Sequence, residues 1–372
     1  MRVLLVNDLP PGSGGGVEVH LSRLVASLEA AGDSVAVFAG EIHHQGAGRI
    51  LDVWDPRARA RLAALARRFR PDVVHHHNVL RELSVSVLGV PRGTRQVLTC
   101  HDHRLLGAGD PGSPGGRVPA VGRALASTRA RWERVIARHR VDAVIGVSAP
   151  MVEALRRAGF GQVEYVPYFA RPLPANAGVP LDACHDVVYV GRLAADKGVD
   201  VLAAAFGLLA ASWPEARLVA VGEGPERVGL EALAAEIGPE RVVLKGATDA
   251  GGVQAAMASA RLVVVPSVPA RRPEGSPMVA IEAAMAGRPL VVSDDPGLRE
   301  LVDLAGCGLV VPPGEARPLA GAIGRLLGDT ELSVRMGQAG SRMAQGRHSA
   351  AAAVARLRAI YAGQRQLPDP GL

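Results

Sequence analysis

The chain has 372 residues, 42 of them basic and 36 acidic, for a formal charge of +6. That length exceeds one compact core and calls for two domains, and a composition 48% hydrophobic and 21% charged excludes a disordered or fibrous chain. No apolar stretch nears the ~20 residues that cross a bilayer, the opening segment lacks the charge pattern and cleavage site of a signal peptide, and Cys100, Cys184 and Cys307 are too far apart for a disulfide framework or zinc knuckle. A cytoplasmic protein is expected.

The basic residues are unevenly chosen. Only Lys197 and Lys245 are lysine; the remaining 40 are arginine, which reads as the codon bias of a GC-rich bacterial genome. A lysine kept in such a chain stands where arginine would not serve. Between Arg49 and Arg140 lie 18 arginines against seven acids. This stretch reads as a solvated, arginine-rich surface rather than an anion-binding one. With aromatics at 3%, stacking on single-stranded nucleic acid is not expected. The helix expected over Arg123–Arg138 needs its modest apolar face for the core, so membrane contact is at most peripheral.

Short β-branched runs alternate with Ala/Leu-rich helical patterns, the signature of parallel sheets with crossover helices. Strands are expected at Val3–Val6, Val35–Phe38, Val73–His75, Gln96–Thr99 and Ala143–Val147, with helices around Val17–Ala31, Arg57–Phe69, Arg123–Arg138 and Pro150–Ala158. After the first strand comes a loop containing Gly12, Gly14, Gly15 and Gly16, followed by Glu18. Its amides could approach an anion at a helix N-terminus, but it lacks the third glycine of a dinucleotide fingerprint. The third strand ends in His75-His76-His77-Asn78, with His75 and His77 on one face. No second cluster at ligand spacing follows apart from His101 and His103, and these histidines read as polar cleft lining rather than metal ligands. At the close of the fourth strand, His101 is a candidate for contact with a substrate hydroxyl, oriented by Asp102. A buried structural histidine is the alternative.

A Pro/Ala-rich, aperiodic segment from Tyr165 to Pro180 separates the first series from a second. Strands follow at Val187–Val190, Leu218–Val221, Val242–Leu244, Leu262–Val265, Leu290–Val292 and Leu309–Val311, with helices at Gly198–Ala211, Glu226–Ile237 and Met278–Ala286. The stretch from Pro318 to Gly363 is helical by pattern. Two doubly wound α/β domains facing across a cleft are expected, with ligand at the carboxyl ends of the strands. The run Gly191-Arg192-Leu193-Ala194-Ala195-Asp196-Lys197-Gly198 puts two cations beside a helix N-terminus, as a diphosphate requires. Gly222 lies in a second strand–glycine–helix turn, Val221-Gly222-Glu223-Gly224-Pro225. Glu274 precedes a helix, and Glu282 sits inside it among Ala, Met and Ile, where ribose hydroxyls would satisfy a carboxylate.

These residues resemble the retaining glycosyltransferases of family four, which have the GT-B fold of two Rossmann-like domains. Their signature includes G-R-x-x-x-x-K-G, V-G-x-G-P and two glutamates eight apart before A-x-G-x-P; here these are Gly191–Gly198, Val221–Pro225 and Glu274–Glu282. The resemblance implies that Arg192 and Lys197 hold the donor diphosphate and Glu282 the ribose. It implies that Glu274 and the amides after it, at Gly275, Ser276, Pro277 and Met278, bind the donor sugar, and that Gly15, Gly16 and His101 close over the reaction centre. His75, His77 and Asp102 fall on the acceptor side. Many members carry a bulky apolar residue at Ser276, so the departure there bears on the donor sugar. The domain division expected is 1–168, completed by a C-terminal helix over 348–364; a linker over 169–182; and a nucleotide-sugar domain over 183–345.

The partners so implied are a nucleotide sugar, as co-substrate rather than cofactor, and an acceptor. No two aspartates are separated by one residue, so the D-x-D device for a bridging metal is missing. Arg192, Lys197 and helix dipoles then neutralise the leaving diphosphate. No carboxylate is placed as the nucleophile of a retaining hydrolase, and the resemblance suggests front-face attack. The alternatives are a GT-B-like sugar-nucleotide epimerase or hydrolase, and a non-catalytic nucleotide-sugar binder.

Overall fold

The computed structural model describes residues 1–12, 16–40, 54–80, 82–106, 120–172, 179–270 and 278–365, with the backbone alone over 120–126. Two compact units form, one of Met1–Tyr168 with Ala350–Leu372, the other of Phe169–Ser349.

The first unit opens with β1 (Arg2–Asn7), α1 (Gly16–Ala30), β2 (Ser34–Ala39), α2 (Pro56–Phe69), β3 (Val73–His76) and β4 (Arg95–Cys100). It continues with α3 (Ala120–Arg140), β5 (Ala143–Gly146), α4 (Ala149–Arg157) and β6 (Val163–Tyr165). Its six strands lie in the order β2-β1-β3-β4-β5-β6, and every pairing is parallel. Runs such as Val3-Leu4-Leu5-Val6 are buried along their whole length, as a sheet covered on both faces demands. β6 is absent from the sequence-based expectation: it is three residues long, and Glu164 interrupts its apolar pattern. On α3 the core takes Ala137, with Ile136 packed against it, while Trp132 and Val135 are exposed.

The second unit runs β7 (Asp186–Val190), α5 (Val199–Leu209), β8 (Arg217–Val221), α6 (Arg227–Ile237), β9 (Val242–Gly246), α7 (Ala250–Ser259) and β10 (Ala260–Val265). It ends with α8 (Met278–Met285), β11 (Leu290–Ser293), α9 (Pro296–Ala305), β12 (Gly308–Val311), α10 (Ala316–Gly328) and α11 (Thr330–Arg347). The strand order is β12-β11-β10-β7-β8-β9, again all parallel. The order therefore reverses between β1 and β3 in one unit and between β7 and β10 in the other, the positions where open α/β sheets bind ligands. Two arginines in this unit are internal clamps rather than solvated charges. Arg261 donates to the carbonyls of Leu326 and Leu181 (3.1 and 2.7 Å), and Arg288 to those of Ala258, Val179 and Ala260 (2.7, 2.9 and 3.0 Å).

The last helix, α12 (Ala350–Tyr361), belongs to the first unit. Arg95 Nε donates to its Ile360 carbonyl (2.7 Å), Tyr361 Oη is hydrogen-bonded to His75 Nδ1 (2.7 Å), and Arg358 Nε donates to Asp33 Oδ2 (3.0 Å). Asp33 also accepts from the Met1 ammonium at 2.7 Å, with its side chain 1% exposed. Burial alone would raise that carboxyl; the hydrogen bonds from Arg358 and the ammonium outweigh it, and the group ends below its ordinary value. Its stabilising contribution is thus present above the ordinary carboxylate pKa and is lost as acidification protonates it in the fold. Asp33→Asn, which leaves two cations facing a neutral amide, is expected to cost about 1–3 kcal/mol. Urea melts at pH 7 check this; an unchanged midpoint would show that Asp33 does not anchor α12.

Candidate functional site

In the second unit, the turns after β7 and β8 are stitched to each other through the backbone. Gly191 N donates to Val221 O (2.9 Å), Leu193 N to Glu223 O (2.9 Å) and Glu226 N to Leu193 O (2.9 Å). Contact this close excludes side chains: a Cβ on Gly222 (φ +141°) would lie 1.9 Å from Gly191 O. The same holds at Gly198 (φ +68°), where a Cβ would lie 1.9 Å from Pro266 O at the end of β10. Gly198 takes the left-handed conformation as N-cap of α5, so the helix begins at Val199 rather than at Gly198. The residues before it, Ala195–Lys197, form a short 3-10 turn.

Both expected cations therefore precede the α5 N-terminus at the β7/β10 reversal. Arg192 is 46% exposed, and its Nη2 donates to Asp196 Oδ2 and Oδ1 (2.7 and 2.9 Å). Lys197 is half-buried. Met278 is the first residue of α8 and Glu282 lies within it, both half-buried. Glu274, Gly275, Ser276 and Pro277 lie outside the described residues, as does Gly15 in the first unit.

In the first unit, Gly16 is the exposed first residue of α1, and a Cβ there would meet nothing within 4 Å. One turn on, His20 joins a buried aromatic cluster that the sequence reading missed. His101 Nδ1 is hydrogen-bonded to Tyr168 Oη (2.6 Å) and its Nε2 to His77 Nδ1 (2.9 Å). The His20 ring stands edge-on to Tyr168, 4.7 Å between centroids. Tyr168, not Asp102, thus orients His101, because both ring nitrogens are taken; Asp102 Oδ1 instead accepts from Arg104 N (3.0 Å). His75 is likewise occupied, by Tyr361 and by Thr99 Oγ1 (2.7 Å). A pocket at the carboxyl ends of β1, β3 and β4 is lined by Asp8, His77, Asn78, His101, Asp102 and Arg104 among others, while His75 is not in its wall. The signals that could have pointed to Tyr168 and His20 were a tyrosine in a chain with four and a histidine four residues after Gly16.

Burial keeps these rings neutral. It pushes His20 and His75 down to about 3 and His76 to about 4, and it holds His77 and His101 well below the usual histidine range. Neutral imidazoles can donate and accept hydrogen bonds, which suits hydroxyl groups. Among the described residues, no group of three His, Cys, Asp or Glu side chains could hold a metal ion.

The family described as Glycosyltransferase Family 4 matches residues 14–170, and Glycosyl transferases group 1 matches residues 184–343. An alpha-D-kanosaminyltransferase of Streptomyces kanamyceticus is 35% identical over 47% of this chain; the match spans 45% of that protein, less than half its length. A glycogen synthase of Mycobacterium tuberculosis is 28% identical over 91% of this chain and 89% of its own. Among solved structures, sucrose-phosphate synthase from Thermosynechococcus elongatus superposes with a TM-score of 0.74 at 24% identity, covering 98% of both chains. The Anabaena protein HepE in complex with UDP-glucose gives a TM-score of 0.71 at 20% identity, covering 98% of this chain and 100% of that one. These likenesses place the fold among the two-domain GT-B structures.

The buried histidines make the first unit acid-sensitive. Below about pH 6.5 the unfolded chain binds protons that these rings refuse in the fold, so stability falls as pH falls. Each such ring costs up to about 1.4 kcal/mol per pH unit. All five rings act in the same direction, so acid destabilises the first unit through each of them. Near-UV circular dichroism should therefore lose the first unit's signal between about pH 6 and 4. A spectrum unchanged at pH 4 would contradict the burial of uncharged histidines.

Proposed function

Since this chain belongs to glycosyltransferase family 4, a family of GT-B fold, we propose that it moves a sugar from a nucleoside-diphosphate sugar to an acceptor with retention of anomeric configuration and without a metal. The observation that carries this reading is the pair Arg192 and Lys197, set between two glycines at the β7/β10 reversal and just before the α5 N-terminus. Negative charge builds on the leaving diphosphate as the glycosidic bond breaks. Two cations and a helix N-terminus stabilise that charge more in the transition state than in the ground state. The chain has no D-x-D pair to carry a bridging cation, which supports leaving this task to the side chains.

In this reading Glu282 holds the ribose and Glu274, with the amides from Gly275 to Met278, holds the donor sugar. The first unit binds the acceptor in the pocket that His77, His101 and Asp102 help to line. Gly16 supports a close approach of substrate, since protein packing around it would admit a side chain. The acceptor hydroxyl attacks from the face that the diphosphate leaves, and the departing phosphate oxygen takes its proton. Among the described residues no helix is long and apolar enough to cross a membrane. The exposed Trp132 and Val135 on α3 would support peripheral contact at most.

Lys197→Ala should lower kcat by about 10²-fold or more at saturating donor, as loss of one preorganised charge donor does elsewhere. Lys197→Arg should not restore it fully, because a guanidinium fork does not fill the place of an ammonium. Thermal shifts over UDP- and GDP-sugars identify the donor, a true donor at 100 times its Kd adding about 2.7 kcal/mol. Near wild-type turnover in Lys197→Ala would remove the site. Donor breakdown that runs as fast without acceptor as with one would favour a hydrolase or epimerase.

A further inference from the structure

We infer that Asp196 is the positioning residue for Arg192, holding the guanidinium by one nitrogen so that the others face the donor diphosphate; this rests on the donor site proposed above. The pairing is asymmetric. Both oxygens of Asp196 accept from the same atom, Arg192 Nη2, at 2.9 and 2.7 Å. Arg192 Nε and Nη1 make no hydrogen bond to described residues, and the side chain is 46% exposed against 16% for Asp196. A guanidinium held at one corner keeps its remaining N–H groups for phosphate oxygens.

The holder is itself fixed. Asp196 lies in the 3-10 turn Ala195–Lys197, where Lys197 N donates to Ala194 O (3.0 Å) and Gly198 N to Ala195 O (3.1 Å). Its own carbonyl accepts from Val268 N (3.0 Å), beyond the end of β10. The base of the arginine is fixed as well: Tyr189 Oη donates to Arg192 O (2.7 Å), and Leu193 is bonded both ways to the turn after β8. Only the long side chain is left to be ordered, and Asp196 orders it before any ligand arrives. A cation aimed in advance needs no reorganisation as charge develops.

An acid beside a diphosphate site otherwise makes little sense, because its negative charge weakens the field that draws the anion. Its removal has two opposed consequences. Asp196→Asn adds one net positive charge near the ligand, which favours binding, and frees the guanidinium, which disfavours it. Ground-state affinity should therefore change little, while the step that depends on aim should suffer.

The test combines binding, turnover and a double-mutant cycle. For Asp196→Asn we expect the Kd for UDP to stay within about threefold of wild type and the release of UDP from UDP-glucose, or of GDP from GDP-mannose, to slow at least about tenfold. In an Arg192→Ala background, Asp196→Asn should have no further effect, since it acts through the residue already removed. Asp196→Glu, which keeps the charge at the end of a longer arm, should recover part of the rate. Arg192 Nε–H, assigned by Arg192→Lys in a 15N spectrum, should be distinct in wild type, shift with UDP, and merge with the solvent-exposed arginines in Asp196→Asn. If neither donor turns over, that spectrum decides alone. A rate within twofold of wild type, an equal loss in both backgrounds, or an Nε–H signal indifferent to Asp196 would each overturn the assignment. Turnover unchanged in Arg192→Ala or Lys197→Ala would instead defeat the donor-site reading beneath it.

Discussion

The geometry of the second unit depends on backbone passing against backbone where a methyl group would not fit. Gly198 meets Pro266 O, and Gly222 meets Gly191 O, each at a distance that leaves no room for a Cβ. These approaches bind the turns after β7, β8 and β10 into one rigid edge at the end of the sheet. The backbone of Arg192 and Lys197 takes its position from that edge, and Asp196 holds the Arg192 side chain. The donor site proposed there would consist of fixed dipoles and fixed cations, which is how a protein stabilises charge without rearranging.

The first unit rests on a different constraint. Its pocket is backed by imidazoles that burial keeps uncharged, with His101 hydrogen-bonded to Tyr168 and His75 to Thr99. The ring network also links distant chain segments, since His75 reaches α12 through Tyr361 and the pocket wall through Thr99.

The strands were legible because a buried parallel strand is a run of Val, Leu and Ile that little else in a soluble chain produces. In β10 the unbroken apolar run Leu262–Val265 stands out at once, although Ala260 and Arg261 ahead of it gave no sign that the strand starts two residues earlier. β6 failed that test through its length and Glu164. Helix α7 escaped because it starts Ala-Gly-Gly and has little amphipathic character, with Asp249 capping Gly252 as its main signal. Helix α9 was legible in principle: Asp295 caps it and Pro296 stands at its first position. The Gly191–Gly198 motif stands out in the sequence because its parts are eight consecutive residues. The histidine network could not, because Tyr168 is 67 residues from His101 and Tyr361 is 286 from His75, distances that only the fold closes. Proximity in sequence likewise suggested Asp102 as the partner of His101, where topology supplies Tyr168.

In the proposed donor site the β7/β10 edge of the second unit binds a nucleoside diphosphate through Arg192 and Lys197. A crystal structure of the chain with UDP or GDP bound tests it most directly. Phosphate oxygens are expected within hydrogen-bonding distance of Lys197 Nζ and of Arg192 Nε or Nη1, with Asp196 still on Nη2. A nucleotide bound elsewhere, or one whose phosphates approach neither cation, would contradict it.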